Sequence, residues 1–305
     1  MTQHIPVLPQ EVLEGLAPKR GGIYVDGTLG GGGHTELLAR AVGPSGMVLA
    51  MDRDLKAIDA AEALFKQKRQ TDPELAVVRL AHANFRDFPD ALRMLEIEKV
   101  DGVLLDIGLS SDQIADRERG FSFDSEGPLD LRFDITEGFP AYEHLEKWSE
   151  ERIADIIYEY GEEKFSRRIA RKIVERRQEG NPVRSARELG ELVRKCVPMQ
   201  RKTNLRSTPI DPATRTFQAL RIAVNDELGS LTAFLKQVGS FLKPGGRIAM
   251  ISFHSLEDRI VKNAFREDPL LESVTKKPIT ATEEEIIRNP CARSAKLRVA
   301  ERNDE

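Results

Sequence analysis

The sequence predicts a doubly wound, Rossmann-like α/β fold that is interrupted by an inserted all-helical domain. Three observations predict it. Short apolar runs alternate with helical patterns before residue 110 and again after residue 212. A glycine-rich run directly follows the first apolar run. Between these two regions, apolar residues recur at the spacing of amphipathic helices, as they do at Ile153, Ile156, Ile157 and Tyr160.

The elements can be predicted in chain order. Apolar runs that favour strands cover residues 23–25, 47–51, 76–80, 100–105 and 247–251. Helical patterns cover residues 55–67, 216–223 and 226–242. Because parallel strands joined by helices form a doubly wound sheet, the five strands should share one sheet. We therefore predict a discontinuous domain over residues 1–110 and 213–305, with an inserted helical domain over residues 111–212.

Composition limits the class of protein. A chain of 305 residues with 40% hydrophobic content can bury a large core. No apolar run approaches the roughly 18 residues that span a bilayer, and the first residues do not resemble a signal peptide. We therefore expect a cytoplasmic protein that does not associate with membranes. Two cysteines, Cys196 and Cys291, and five scattered histidines predict no metal site.

Charge is distributed unevenly along the chain. The formal net charge of -4 argues against a globally basic nucleic-acid binder. Residues 111–163 carry sixteen Asp and Glu against five Lys and Arg, whereas residues 164–206 carry fourteen Lys and Arg against four Glu. The basic segment is either a solvated helix surface or a binding surface for the phosphates of a nucleic acid.

Carboxylates follow three of the predicted strands. Asp26 begins the glycine-rich run, and Asp52 and Asp106 end the second and fourth strands. Ligands of doubly wound sheets lie outside the carboxyl ends of the strands, where all three would fall. Asp52 also lies about 20 residues beyond the glycine-rich run, the spacing at which an acid accepts hydrogen bonds from ribose hydroxyls. A nucleotide-like cofactor is expected, and either NAD or S-adenosylmethionine would satisfy this pattern.

Other features favour S-adenosylmethionine. The glycine spacing does not match the G-x-G-x-x-G pattern of dinucleotide sites. The turn at residues 242–246 resembles one found in many S-adenosylmethionine-dependent methyltransferases. Asn84 and Phe85 supply an amide and an aromatic face that could stack on adenine. Two alternatives remain at this point: an NAD-dependent oxidoreductase, and a non-catalytic RNA-binding protein that uses the basic segment.

Eight longer motifs make the comparison specific. They are HIPVL (4–8), DGTLGGGGHT (26–35), DIGLSSDQ (106–113), RGFSF (119–123), GPLDLR (127–132), PATRTFQALR (212–221), SFHSLEDR (252–259) and RSAKLR (293–298). With these motifs in this order, the chain resembles the bacterial 16S ribosomal RNA cytosine-N4 methyltransferase family, known as RsmH or MraW, almost from end to end.

The resemblance implies a methyltransferase fold, a cofactor, a substrate and a set of site residues. The cofactor is S-adenosylmethionine, and the substrate is a cytidine in the decoding region of 16S rRNA within the small ribosomal subunit. Whether the protein forms a homodimer stays open. The implied cofactor contacts are Gly32, Gly33, His34, Asp52, Phe85, Asp106 and Gln113.

The chemistry of the target amine suggests the catalytic residues. The lone pair of the cytosine amine is delocalised into the ring, so an enzyme must accept hydrogen bonds from the NH₂ group and hold it in line with the methyl group. Asp106 is the candidate for this contact, and the sequence leaves open whether it contacts the target amine, the cofactor or both; we expect Ser252 and His254 to face the same cleft. The chain lacks the Pro-Pro-aromatic sequence that many amino-methyltransferases carry after the fourth strand. Methylation of cytosine carbon 5 needs a cysteine nucleophile, but Cys291 lies far beyond the fifth strand.

Overall fold

The computed structural model describes residues 5–198 and 211–303. The chain forms two compact units, one of Met1–Ser110 with Leu228–Glu305 and one of Ser111–Glu227. The last eight residues of the predicted basic segment, 199–206, and His4 of the first motif lie outside the described residues. Within the described ranges, no helix is both long enough and apolar enough to cross a bilayer.

Seven strands form one sheet in the first unit. They are β1 (Ile23–Asp26), β2 (Met47–Asp52), β3 (Val77–His82), β4 (Val100–Asp106), β5 (Leu242–Ser252), β6 (Leu271–Ser273) and β7 (Lys296–Arg302). Their order is β3-β2-β1-β4-β5-β7-β6; β7 runs antiparallel to both of its neighbours, and the other pairs are parallel. The doubly wound fold predicted from the sequence is therefore confirmed.

Thirteen α-helices occur in the described ranges. They are α1 (Pro9–Leu16), α2 (Gly33–Val42), α3 (Leu55–Thr71), α4 (Phe88–Met94), α5 (Ser111–Ala115), α6 (Ala141–Lys147), α7 (Glu150–Gly161), α8 (Ser166–Gln178), α9 (Ala186–Cys196), α10 (Ala213–Asn225), α11 (Glu227–Phe241), α12 (Ser255–Glu267) and α13 (Glu283–Arg288).

Both faces of the sheet are covered by helices. Side chains alternate along each strand, so Val48 and Ala50 of β2 pack with α1, α2 and α3, whereas Leu49 and Met51 pack with α4, α11 and α12. A strand that is buried on both faces has a nearly continuous apolar sequence. This is why the parallel strands β1, β2 and β4 could be recognised from the sequence.

The sequence prediction missed β6 and β7 and misassigned residues 243–246. The motif at 293–298 contains basic residues and was assigned to no strand, but Leu297, Val299 and Ala300 of β7 are buried, and Arg298 pairs with Asp258 at 2.7 Å. Residues 243–246, predicted as a turn, lie within β5 as a bulge where the pairing with β4 shifts register. A bulge places turn-forming residues inside a strand, which sequence patterns do not distinguish from a turn.

The second unit consists of helices α5 to α10 and their connections. Its last helix, α10, was predicted to lie in the first domain, beyond a boundary at residue 212. The structure instead places α10 against α7, where a Cβ added at Gly161 would lie 2.5 Å from the carbonyl oxygen of Arg215. Asn225 also donates to the carbonyl of Leu131 at 2.7 Å. These contacts extend the second unit to Glu227.

Candidate cofactor-binding and active site

Asp26 fastens the glycine-rich loop between β1 and α2. Its side chain is fully buried, with one oxygen accepting from the Thr35 hydroxyl at 2.6 Å and the other from the Thr28 amide at 3.1 Å. Burial raises the pKa of the Asp26 carboxyl. Because these contacts join the strand to the start of α2, Asp26 supports the loop from within the protein.

Two glycines give the loop its course. A Cβ at Gly27 would lie 2.3 Å from the Leu105 side chain, so the backbone passes β4 too closely for any other residue. Gly32 caps α2 with a φ of 77°, a conformation that favours glycine. The first amides of a helix have no acceptor within the helix and attract anionic groups. Gly32 and Gly33, both predicted cofactor contacts, lie at this start of α2, where the backbone amides are available to an anionic group of a ligand.

Asp52, the predicted ribose acceptor, lies at the end of β2. One carboxylate oxygen accepts from the Gly30 amide and the other from the Asp54 amide, each at 2.8 Å. These bonds fix the carboxylate and leave each oxygen a second lone pair. Burial raises the pKa of Asp52 to about 6.

Asp106 ends β4, beside the glycine-rich loop. Its backbone amide donates to the Thr28 hydroxyl at 2.6 Å. Its Oδ1 atom is buried and has no hydrogen-bond partner among the described residues. Such an acceptor is costly unless something binds it, so it marks a position for a donor from a ligand.

His34 lies next to Asp106. Its side chain is only 5% exposed, and its Nε2 atom is 3.5 Å from Oδ2 of Asp106. Neither ring nitrogen makes a hydrogen bond that meets ordinary geometry within the described ranges. Burial lowers the pKa of His34, but the carboxylates of Asp106 and Asp26 and the Val7 carbonyl outweigh it, so the pKa is raised.

Phe85 and Asn84 follow β3. Phe85 is partly exposed and packs edge-on against Phe234, with ring centroids 5.7 Å apart. The Asn84 amide donates to the Ser230 hydroxyl at 3.0 Å, and its oxygen accepts from the Arg86 amide. Asn84 thus has a local structural function, and adenine stacking on Phe85 stays a prediction.

Ser252 and His254 lie at the end of β5, the strand next to β4. Ser252 is buried. His254 caps α12: its Nδ1 atom accepts from the Glu257 amide at 3.4 Å, and the Glu257 carboxylate accepts from the His254 amide at 3.3 Å. The structure gives His254 this capping function, and catalytic functions for both residues stay predictions. Gln113 lies in α5 of the second unit, partly exposed, and its cofactor contact also stays a prediction.

Comparison with known proteins identifies the family. Residues 1–303 match the model of the MraW methylase family. The chain belongs to that family.

Relatives of this MraW methylase match it over most of their length. A protein of Rhodopirellula baltica is 49% identical over 99% of this chain and 92% of its own, and one of Synechocystis is 48% identical over 98% and 93%. Both are named ribosomal RNA small subunit methyltransferase H. A solved rRNA methylase from Streptococcus thermophilus is 11% identical over 97% of this chain and 94% of its own, with a TM-score of 0.42.

The cofactor of this MraW methylase is S-adenosylmethionine, and the residues at the ends of the strands fit it. Asp52 offers fixed carboxylate lone pairs to ribose hydroxyls, and the start of α2 offers amides. When bound, the cofactor supplies an electrophilic methyl group. The protein supplies the cradle and, at Asp106, a buried acceptor beside it.

The sequence interpretation assigned no function to Thr28, Thr35 and Glu257. Thr28 joins the Asp26 carboxylate to the Asp106 backbone, and Thr35 ties α2 to Asp26. A threonine two residues after a strand-ending aspartate is a turn signal that could have indicated Thr28. A glutamate three residues after His254, at the start of a helical pattern, could have indicated the cap of α12.

Proposed function

We propose that this methylase transfers a methyl group to the exocyclic N4 amine of a cytidine in the decoding region of 16S rRNA. Relatives named for the small-subunit ribosomal RNA support the substrate class, and the eight sequence motifs support the cytidine. The observation that carries the chemistry is the buried, unpartnered Oδ1 atom of Asp106 at the carboxyl end of β4.

In this mechanism, Asp106 accepts a hydrogen bond from the target NH₂ group. That hydrogen bond occupies one N–H of the amine and increases the electron density on the amine nitrogen. S-adenosylmethionine, held by Asp52 and the start of α2, would supply the methyl group to the amine and would keep the electron pair of the broken C–S bond on sulfur. The proton that the nitrogen loses would pass to Oδ1 of Asp106 and from there to water. Holding reactants in line can recover about 7–11 kcal/mol of a barrier, so positioning is the main contribution that the protein makes.

The second unit offers a basic surface for RNA. Arg167, Arg168, Arg171 and Lys172 of α8 are exposed, while Ile169 and Ile173 of the same helix are buried. Arg171 and Lys172 lie beside Glu150 and Glu175 but stay 65% and 56% exposed. Arg176, which belongs to the same basic segment, is only 25% exposed and pairs with Glu188 at 3.0 Å. We infer that the four exposed residues, hereafter the α8 basic face, contact phosphates of the substrate RNA.

A cysteine-dependent mechanism has less support. Cys196 lies buried in α9, and Cys291 lies exposed in the turn at Pro290–Ser294 before β7. Attack on carbon 6 of cytosine requires a thiolate beside the base. Neither cysteine lies directly after β4, the strand that ends at Asp106.

Mass mapping of the modified nucleoside tests the proposed function. The protein is incubated with small subunits that lack the modification and with isotopically labelled S-adenosylmethionine, and the RNA is digested and sequenced by mass. We expect label in N4-methylcytidine at one decoding-region position, and none with the Asp106→Asn variant. Label in 5-methylcytidine, or at a base outside that region, would contradict the proposal.

Ligand-induced thermal shifts separate the remaining alternatives. S-adenosylhomocysteine should raise the melting temperature and NAD should not; the reverse would favour an oxidoreductase. RNA binding without any methyl transfer would favour a non-catalytic binding protein. Because its substrate is ribosomal RNA in this proposal, we also expect the protein in the cytoplasm. Whether it forms a homodimer stays open.

A further inference from the structure

The Asp106 carboxylate is held from two sides by residues of the glycine-rich loop and α2. Thr28 accepts a hydrogen bond from the Asp106 amide at 2.6 Å, which fixes the end of β4. His34 places its Nε2 atom 3.5 Å from Oδ2 of Asp106. The other carboxylate oxygen, Oδ1, has no partner in the described part of the chain. The two oxygens therefore have different environments.

The surroundings of the His34 ring favour its charged form. Two carboxylates act on it, Asp26 from β1 and Asp106 from β4, and the Val7 carbonyl, from the segment before α1, acts on it as well. These are the groups that raise its pKa against the opposing effect of burial. An imidazolium carries an N–H on both ring nitrogens, so its Nε2 can donate toward Oδ2 of Asp106, which lies 3.5 Å away.

We propose that His34 is a positioning residue for methyl transfer: its imidazolium holds Oδ2 of Asp106, so that Oδ1 faces the target amine as an ionised acceptor. The inference rests on the proposed function, because it assigns Asp106 to the amine. The predicted cofactor contact of His34 involves its position at the start of α2, whereas this function belongs to its side chain. Thr28 supports the same carboxylate through the backbone.

Imidazole NMR of the cofactor-free protein tests the pairing directly. The His34 signal is assigned by its loss in His34→Gln, and His144 of the second unit serves as an internal control. We expect His34 to titrate above the ordinary value of about 6.5, and to titrate at lower pH in Asp106→Asn, while His144 is unchanged. A His34 ring that is neutral at pH 7 in the wild-type protein would overturn the inference.

The pH profile of single-turnover methylation tests the function. We expect the wild-type rate to fall as pH rises through the pKa of His34, because the imidazolium is lost. His34→Gln, measured at saturating cofactor, should be about 10- to 100-fold slower at neutral pH and should lack this alkaline fall. Circular dichroism and cofactor binding confirm that the variant is folded. If it misfolds, the NMR titration decides, with the His34 signal assigned by elimination from single variants of the other four histidines.

The two proposals fail in different ways. If the wild-type protein makes N4-methylcytidine and His34→Gln keeps the wild-type rate and pH profile, the inference is wrong and the proposed function stands. If the wild-type protein methylates another atom, the proposed function is wrong, and the NMR titration still decides whether His34 pairs with Asp106. Thr28→Ser keeps the hydroxyl that accepts from the Asp106 amide, and Thr28→Val removes it. A methylation rate that is kept in Thr28→Ser but lowered in Thr28→Val would further support positioning of Asp106.

Discussion

At the scale of single residues, Asp52 links cofactor binding to pH. Its pKa of about 6 lies far above that of an ordinary aspartate because the carboxyl is buried. Ribose hydroxyls donate to the ionised form, so the ligand favours loss of the proton. We expect the dissociation constant for S-adenosylhomocysteine to rise as pH falls below about 6, by up to tenfold per pH unit. Calorimetry between pH 5 and 8 measures this.

A neutral side chain should remove that dependence. Asp52→Asn should weaken binding of S-adenosylhomocysteine about 10- to 100-fold at pH 7.5, because the ligand loses hydrogen bonds to a charged acceptor. The affinity of the variant should be almost the same at pH 5.5 as at pH 7.5. Asp59→Asn, at an exposed position of α3, is the matched control. The prediction fails if Asp52→Asn keeps the pH dependence of the wild-type protein.

At the scale of elements, the sequence revealed those whose burial leaves a simple pattern. Strands β1, β2 and β4 are buried on both faces and have apolar sequences, so their ends placed Asp26, Asp52 and Asp106 correctly at one edge of the sheet. β7 could not be recognised, because Lys296, Arg298 and Arg302 interrupt its apolar residues. The hydrogen bond between Thr28 and Asp106 and the position of His34 beside Asp106 depend on tertiary structure, so no local pattern could have predicted them.

The end of α6 depends on one arginine of α8. Nη1 of Arg177 donates to the carbonyls of Leu145, Glu146 and Trp148 at 2.8–2.9 Å, which satisfies acceptors that a helix end leaves unpaired. We expect Arg177→Ala to lower the free energy of unfolding of the second unit by about 1–3 kcal/mol.

The fluorescence of Trp148, the single tryptophan, reports this unfolding. Trp148 lies at the helix end that Arg177 contacts, because its carbonyl is one of the three acceptors. Arg167→Ala, an exposed position on the same helix, is the control and should change the unfolding free energy by no more than about 0.5 kcal/mol. Equal urea midpoints for the two variants would contradict a capping function for Arg177.

At the scale of the whole molecule, net charge and charge distribution lead to different expectations. A chain with a formal charge of -4 should bind RNA poorly if charge were uniform. The structure sharpens the sequence interpretation of the basic segment, because Arg176 and Arg177 are engaged within the second unit while Arg167 and Arg168 are exposed. A charge run does not reveal which of its members pair internally; only the packing of α8 does.

The salt dependence of RNA binding tests the α8 basic face. We expect Arg167→Ala, Arg168→Ala and Arg171→Ala together to weaken binding to a single-stranded RNA that spans the target cytidine. Each lost phosphate contact should reduce the slope of log K against log salt by about 0.7.

The matched control replaces Arg20, Arg93 and Arg266 by alanine. These residues are 64–77% exposed on the first unit, and their replacement removes the same charge. Because counterion release requires contact rather than net charge, the control should keep the wild-type slope, and both variants should bind S-adenosylhomocysteine normally. Equal slopes for the two triple variants would mean that α8 does not contact the RNA.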